Sequence, residues 1–185
     1  VAKAINENDD ATLLNLLKKS ANNLLLISGL IFLLINLNLN DFYAWVNLGD
    51  YTVALEVVLI VSLGKLFTMS MGCLNHIITN SKYYVYVFWF SLISALLAIA
   101  LNLILIGYYG IIGAAYATLM VMILINILKI LLVQKRFRMN PFSKKTFLTL
   151  VIVFFLYWII SMISFDYEPF LSLLLRSTLI IIAFS

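Results

Sequence analysis

Six apolar runs follow one another along this chain, at about 20–37, 51–79, 83–106, 110–133, 146–164 and from 171 onward. A helix needs about 20 mostly apolar residues to cross the hydrocarbon of a bilayer, within roughly 17–25. The first five runs meet that length and the last begins one. They are continuously apolar rather than alternating over about ten residues, which excludes a strand barrel. Inside lipid a backbone must satisfy its own hydrogen bonds, so each run predicts a helix. The expected fold is all-α, a polytopic transmembrane helical bundle of about six spans. Composition agrees. Hydrophobic residues make up 64% of the 185 and charged ones 11%, against about 25% charged in ordinary soluble domains. A globule of this length still exposes much of its area and has no core large enough for so much apolar surface.

The breaks between runs sort by charge. Those at 1–19, 80–84 and 134–145 carry Lys3, Lys18, Lys19, Lys82, Lys135, Arg136, Arg138, Lys144 and Lys145. Those at 38–50, 107–109 and 165–170 carry no Lys or Arg, but Asp41, Asp50, Asp166 and Glu168. Arg176, just past the last of these, is the one basic residue nearby. The alternation holds over every crossing, and the positive-inside rule then puts the start of the chain in the cytoplasm. The net charge of +4 is spread between apolar runs, with no basic face to track a nucleic acid. Cys73 is the one cysteine and has no internal partner, so it reports no redox compartment. No His/Cys metal spacing and no glycine-rich phosphate loop occurs, so neither a metal nor another cofactor is expected. Residues 9–19 read as a short amphipathic helix lying on the membrane. Asp9 or Asp10 would cap it, Leu13, Leu14, Leu16 and Leu17 would form its apolar face, and Lys18 and Lys19 would close it. The expected organisation is a linker over 1–19, four spans over 20–133, a basic loop over 134–145 and a final helix pair over 146–185. The chain begins with Val1 and ends within an apolar run, which reads as a fragment of a longer membrane protein.

The stretch "LNLILIGYYGIIGAAYAT" (101–118) interrupts the longest apolar region. Gly107 to Gly110 allow a tight reversal, and Tyr108 and Tyr109 are amphipathic rings suited to the water–lipid boundary. A hairpin is expected there. Gly113, Ala114, Ala115 and Ala117 then give the returning helix a small-residue face against which another helix can pack closely.

The wording of this stretch, from Asn102 through Tyr109-Gly110 to Gly113-Ala114-Ala115 and Ala117-Thr118, resembles the bacterial polysaccharide-biosynthesis, O-antigen-type flippases. These belong to the multidrug/oligosaccharidyl-lipid/polysaccharide exporter superfamily. Gly107 stands where that family usually has proline. "TNSKYY" (79–84) is similar to the family's cytoplasmic Ser-Lys-Tyr-Tyr turn, and "KRFRMNPFSKK" (135–145) to its basic loop. The resemblance covers nearly the whole chain. It implies the C-terminal part of a fourteen-helix flippase, helices nine to fourteen, whose N-terminal lobe would complete a central cavity. It further implies alternating access in the bacterial inner (cytoplasmic) membrane, with a polyprenyl-pyrophosphate-linked oligosaccharide as cargo and membrane lipids as surroundings.

Four side chains are candidates for function. Lys65 is fifteen residues from Asp50 and seventeen from Lys82, which is roughly 22–26 Å from either end of its run. A charge at mid-span by default marks a pathway or a partner. Glu56 precedes it by nine residues, half a turn out of phase, so the two cannot pair on one straight helix. Lys65 either faces the cavity and contacts an anionic head group, or it snorkels or makes a structural pair with a carboxylate elsewhere. Glu56 and His76 are candidates for ion coupling, against the plainer readings of a headgroup contact and a hydrogen-bonded structural histidine. Arg176 either meets phosphate at the outer face or anchors the last helix. Asn102 and Asn126 are expected to bond between helices, and Lys129 to snorkel.

Transport needs no catalysis, and no enzyme is expected. A multidrug or small-cation exporter of the same superfamily is the nearest alternative. Such carriers typically lack a final helix pair, and a basic Lys65 disfavours cationic cargo. A membrane glycan ligase or polymerase would need a large outer loop or an acid, His or Arg cluster, and no outer break here exceeds about thirteen residues. A structural membrane subunit is the remaining alternative.

Overall fold

The computed structural model describes all residues except 48, 50, 164–167 and 185. Asp50 and Asp166, two of the acids expected at the outer breaks, therefore lie outside the described residues. Among those described there are seven helices and no strand: α1 (Ala2–Asn6), α2 (Asp10–Val46), α3 (Thr52–Met69), α4 (Leu74–Thr79), α5 (Val85–Phe137), α6 (Lys144–Ser161) and α7 (Pro169–Phe184). Helices α2, α3, α5 and α6 are long and apolar enough to cross a membrane. Large apolar side chains face outward along them, Leu103 at 77% exposure and Phe147 at 71%. Water does not tolerate such a surface in contiguous patches; lipid does.

Helix α2 organises the bundle, packing against α3, α6 and α7, while α5 covers α3 and α4. One apolar cluster joins Leu25, Phe32, Leu33 and Leu37 of α2 to Leu66, Val153, Ile160 and Ile180. A second joins the start of α2, at Leu13 and Leu17, to Leu74, Ile77 and Ile78 of α4 and to Phe90, Val121, Ile125 and Val133 of α5.

This second cluster changes the reading of residues 9–19. They form no separate helix on the membrane surface but the first turns of α2, with Leu13 and Leu17 buried in protein. Helix α2 also runs on to Val46, through the expected break at 38–50, and ends at Asn47 in the left-handed conformation. Asn36 and Asn38 donate their amides to the carbonyls of Phe32 and Leu34, at 2.8 Å each. Both side-chain amide donors thus find a carbonyl of their own helix, and neither asparagine forces a loop.

The start of α2 is capped by Asp9, whose Oδ1 accepts from the Thr12 N–H at 2.9 Å. Hydrogen bonding from Thr12, side chain first and backbone second, holds the Asp9 carboxyl below its ordinary value of 3.8. A depressed folded value means that the cap's contribution is complete above the unfolded value and disappears as pH falls through the folded one. The Thr12 amide resonance is therefore expected to titrate with a midpoint below 3.8, and an Asp9→Asn variant to lose that titration while keeping the cap. A midpoint at or above the ordinary value would exclude a charged cap.

Helix α5 is a hairpin. Its backbone is helical except at Gly110, where φ is 58° and ψ −136°, a region essentially reserved for glycine. The chain reverses there, so residues 85–109 and 111–137 run side by side. Tyr83 and Phe137, just before the first arm and at the end of the second, have ring centroids 5.7 Å apart. The reversal expected at Gly107–Gly110 is thus made at Gly110 alone, and helix continues through Gly107. Gly113 is buried, and a Cβ on it would run into the Leu105 carbonyl of the first arm. The small residues after the turn let the two backbones meet.

The run expected as one span at 51–79 is divided. Helix α3 stops at Met69 and α4 starts at Leu74, with Gly72 between them at φ 61°. A Cβ at Gly72 would overlap the Ala21 backbone and the Ser20 hydroxyl. That hydroxyl accepts the Cys73 N–H at 2.9 Å, so the break is clamped to α2.

Candidate functional site

The two ends of the bundle differ in chemistry. Ser81, Lys82, Tyr83 and Phe137 gather around Ala4 and Ile5, and Lys144 and Lys145 lie beside Lys18 and Lys19. Opposite them, Asp41 of α2 stands near Trp45, which packs on Phe170 at 5.3 Å, and near Tyr43, stacked on Tyr51 at 5.1 Å. Lys19 and Asp41 are twenty-two residues apart on one helix, a rise of roughly 33 Å. That is close to the roughly 30 Å of a bilayer's hydrocarbon.

Lys65 lies between these ends. It opens into an apolar groove of about 630 Å³ between α2 and α3, walled by Ser28, Ile31, Phe32 and Ile35 on one side and Val58 and Val61 on the other. Ile31 is twelve residues from Lys19 and ten from Asp41, so the groove sits roughly 18 Å and 15 Å from the two ends. A lysine side chain spans only about 6 Å and cannot snorkel that far. The groove's other polar groups are already used. Ser62 Oγ donates to the Val58 carbonyl at 2.6 Å and accepts from Asn36 Nδ2 at 2.9 Å, and Ser28 Oγ donates to the Leu25 carbonyl at 3.2 Å. Among the described residues no carboxylate comes within 4.0 Å of the Lys65 ammonium; the two ion pairs present are Lys3–Glu7 and Arg176–Asp41. The arrangement is a cation held at mid-depth in an apolar wall, suited to meeting an anion brought from outside these helices.

The other candidates lie elsewhere. Glu56 is exposed one turn into α3 and does not line the groove. His76 is exposed on α4, its carbonyl accepting from Asn80 Nδ2 at 2.8 Å. Arg176 on α7 is engaged by protein: its Nη1 is 2.9 Å from Asp41 Oδ2 and donates to the Leu37 carbonyl at 2.6 Å. Of the two asparagines, Asn126 does bond between helices, to Thr68 Oγ1 of α3 at 2.8 Å. Asn102 instead donates to Ala98 of its own helix at 2.7 Å. Lys129 is half-buried between the arms of α5 beside Ser94 and Ala98.

Sequence reasoning missed Asp41 as the partner of Arg176 and Ser20 as the clamp on the α3–α4 break. An unmatched basic residue beside an acidic break was the signal for the first. No signal marks the second beyond a glycine within an apolar run. Comparison with protein-family models, with curated protein sequences and with solved structures found no match.

Proposed function

We propose that this chain forms one lobe of a membrane carrier that moves a lipid-pyrophosphate-linked oligosaccharide across the bacterial cytoplasmic membrane by alternating access. The observation that supports it is Lys65, a mid-depth cation in an apolar groove with no carboxylate partner among the described residues. Intramembrane charges are costly and mark pathways or partners. A pyrophosphate passing the groove would supply the missing negative charge. In this reading the two arms of α5 are separate crossings, which with α2, α3, α6 and α7 makes six, and the lysine-rich end faces the cytoplasm. The second wall of the cavity comes from another lobe, as inverted-repeat carriers require. The order of motifs around Asn102, Tyr109-Gly110 and Gly113 supports the choice of cargo through its resemblance to O-antigen-type flippases.

The test is Lys65→Ala in the complete carrier, read as lipid-linked glycan accumulating on the cytoplasmic side. A charge-assisted hydrogen bond contributes about 1.5–3 kcal/mol. Translocation is therefore expected to fall roughly ten- to a hundredfold, with Lys65→Arg retaining most of it. Unchanged translocation in Lys65→Ala would remove Lys65 from the pathway and with it the basis of the proposal.

A further inference from the structure

At the lysine-rich end, α2 and the start of α6 enclose a cleft of about 680 Å³. Lys18 and Lys19 enter it from α2, and Lys144 and Lys145 from the first turn of α6. Among the described residues none of the four ammonium groups has a carboxylate within 4.0 Å. Four like charges around one cleft repel one another and are stabilised by an anion between them. The cleft is also built rather than accidental. Asn22 Oδ1 accepts from Thr146 Oγ1 at 2.8 Å and from Ser143 Oγ at 3.3 Å. Ser143 and Thr146 form a reciprocal capping box at the start of α6. These bonds pin the α6 N-terminus to α2 and fix the two lysine pairs opposite each other. The first-turn amides of α6 add their partial positive charge, and the Asn15 and Asn23 amides complete the lining.

The cleft has an apolar side as well. Leu26, one turn beyond Asn22 and exposed, lines it. Phe147 and Leu148, farther along α6 past Thr146, are exposed outside the cleft lining. Charge at one end and bare hydrocarbon at the other is the shape of an amphiphile, not of a free ion. We propose that this cleft binds the phosphate headgroup of an anionic phospholipid from the leaflet at the lysine-rich end, its acyl chains lying along Leu26. The proposal rests on the chain being in a membrane and makes no use of the cargo.

The experiment uses the full chain in neutral detergent, titrated with phosphatidylglycerol or phosphatidylcholine, with bound lipid counted by native mass spectrometry. Phosphatidylglycerol is expected to be retained roughly tenfold or more over phosphatidylcholine, given the attraction of clustered Lys for anionic lipid. Combined Lys18→Gln, Lys19→Gln, Lys144→Gln and Lys145→Gln should abolish that preference. Lys3→Gln, Lys82→Gln, Lys135→Gln and Arg138→Gln together remove the same charge outside the cleft and should leave it intact. The Lys18/Lys19 and Lys144/Lys145 pairs, changed separately, keep the test readable if the fourfold cleft variant does not fold; each should lose part of the preference. Equal loss in the cleft and control variants, or no loss in either paired variant, would overturn the site. Millimolar inorganic phosphate should leave the lipid bound. Full displacement by phosphate would make it a soluble-anion site and overturn the lipid assignment.

Discussion

Gly72→Ala is expected to destabilise the bundle by about 2–5 kcal/mol, although it adds one methyl group. Two separate costs combine. The backbone at Gly72 has φ 61°, and a left-handed conformation costs an L-residue about 1–2 kcal/mol. The new Cβ would also overlap the Ala21 backbone and the Ser20 hydroxyl, and forcing a group into filled space costs about 1–3 kcal/mol. Neither neighbour gives way easily. Ala21 is buried mid-helix, and Ser20 Oγ is held between the Leu17 carbonyl at 3.0 Å and the Cys73 N–H at 2.9 Å. Gly107→Ala is the matched control. Gly107 is helical, has no positive φ, and a Cβ there meets nothing within 4 Å. It should be neutral or slightly stabilising, because alanine is the better helix former by about 1 kcal/mol. Thermal unfolding of the two variants in the same detergent gives the comparison. Equal midpoints would mean that α3 and α4 do not turn against α2 at this point.

The same glycines show what could be read from sequence. The hairpin was legible because Gly107–Gly110 and the paired tyrosines interrupt an apolar region too long for one crossing, and a reversal there needs no knowledge of neighbours. The break after Met69 was not. Its residues, Ser70 to Cys73, keep the hydropathy of a span, and what ends the helix is the closeness of Ser20, fifty-two residues before Gly72. The converse error occurred in α2. Asn38, Asn40 and Asp41 look like a loop to any rule that counts polarity, yet the helix continues through them to Val46. Asn38 donates its amide to a carbonyl of its own helix, and Asp41 pairs with an arginine 135 positions later, at 176. At the candidate site, the depth of Lys65 followed from counting residues. Its groove did not, since half the wall, Ser28 to Ile35, belongs to another helix. Local chemistry was legible; whatever depended on a distant partner was not.

Asp41→Asn and Arg176→Met are each expected to cost about 2–4 kcal/mol, and together much less than the sum. Both side chains are mostly buried, 16% and 14% exposed. Removing one partner of a buried pair strands the other and costs about 3–5 kcal/mol; residual solvation at the bundle's end lowers that somewhat. Losing both leaves no stranded charge, so the double variant should recover part of the loss, with an interaction energy in the upper part of the 0.5–3 kcal/mol range seen for contacting residues. Swapping the pair, Asp41→Arg with Arg176→Asp, should not restore stability. Arg176 also donates to the Leu37 carbonyl at 2.6 Å, and a carboxylate cannot donate there. This experiment also separates the two roles open to Arg176. An anchor predicts that Asp41→Asn loosens α7 from α2 and loses stability as Arg176→Met does. A phosphate ligand predicts an asymmetry instead: releasing Arg176 from Asp41 would raise affinity for a phosphate-bearing lipid, and Arg176→Met would abolish it with little change in stability. The short pair to Asp41 and the bond to Leu37 place the guanidinium between α7 and α2, and the expected result is symmetric loss.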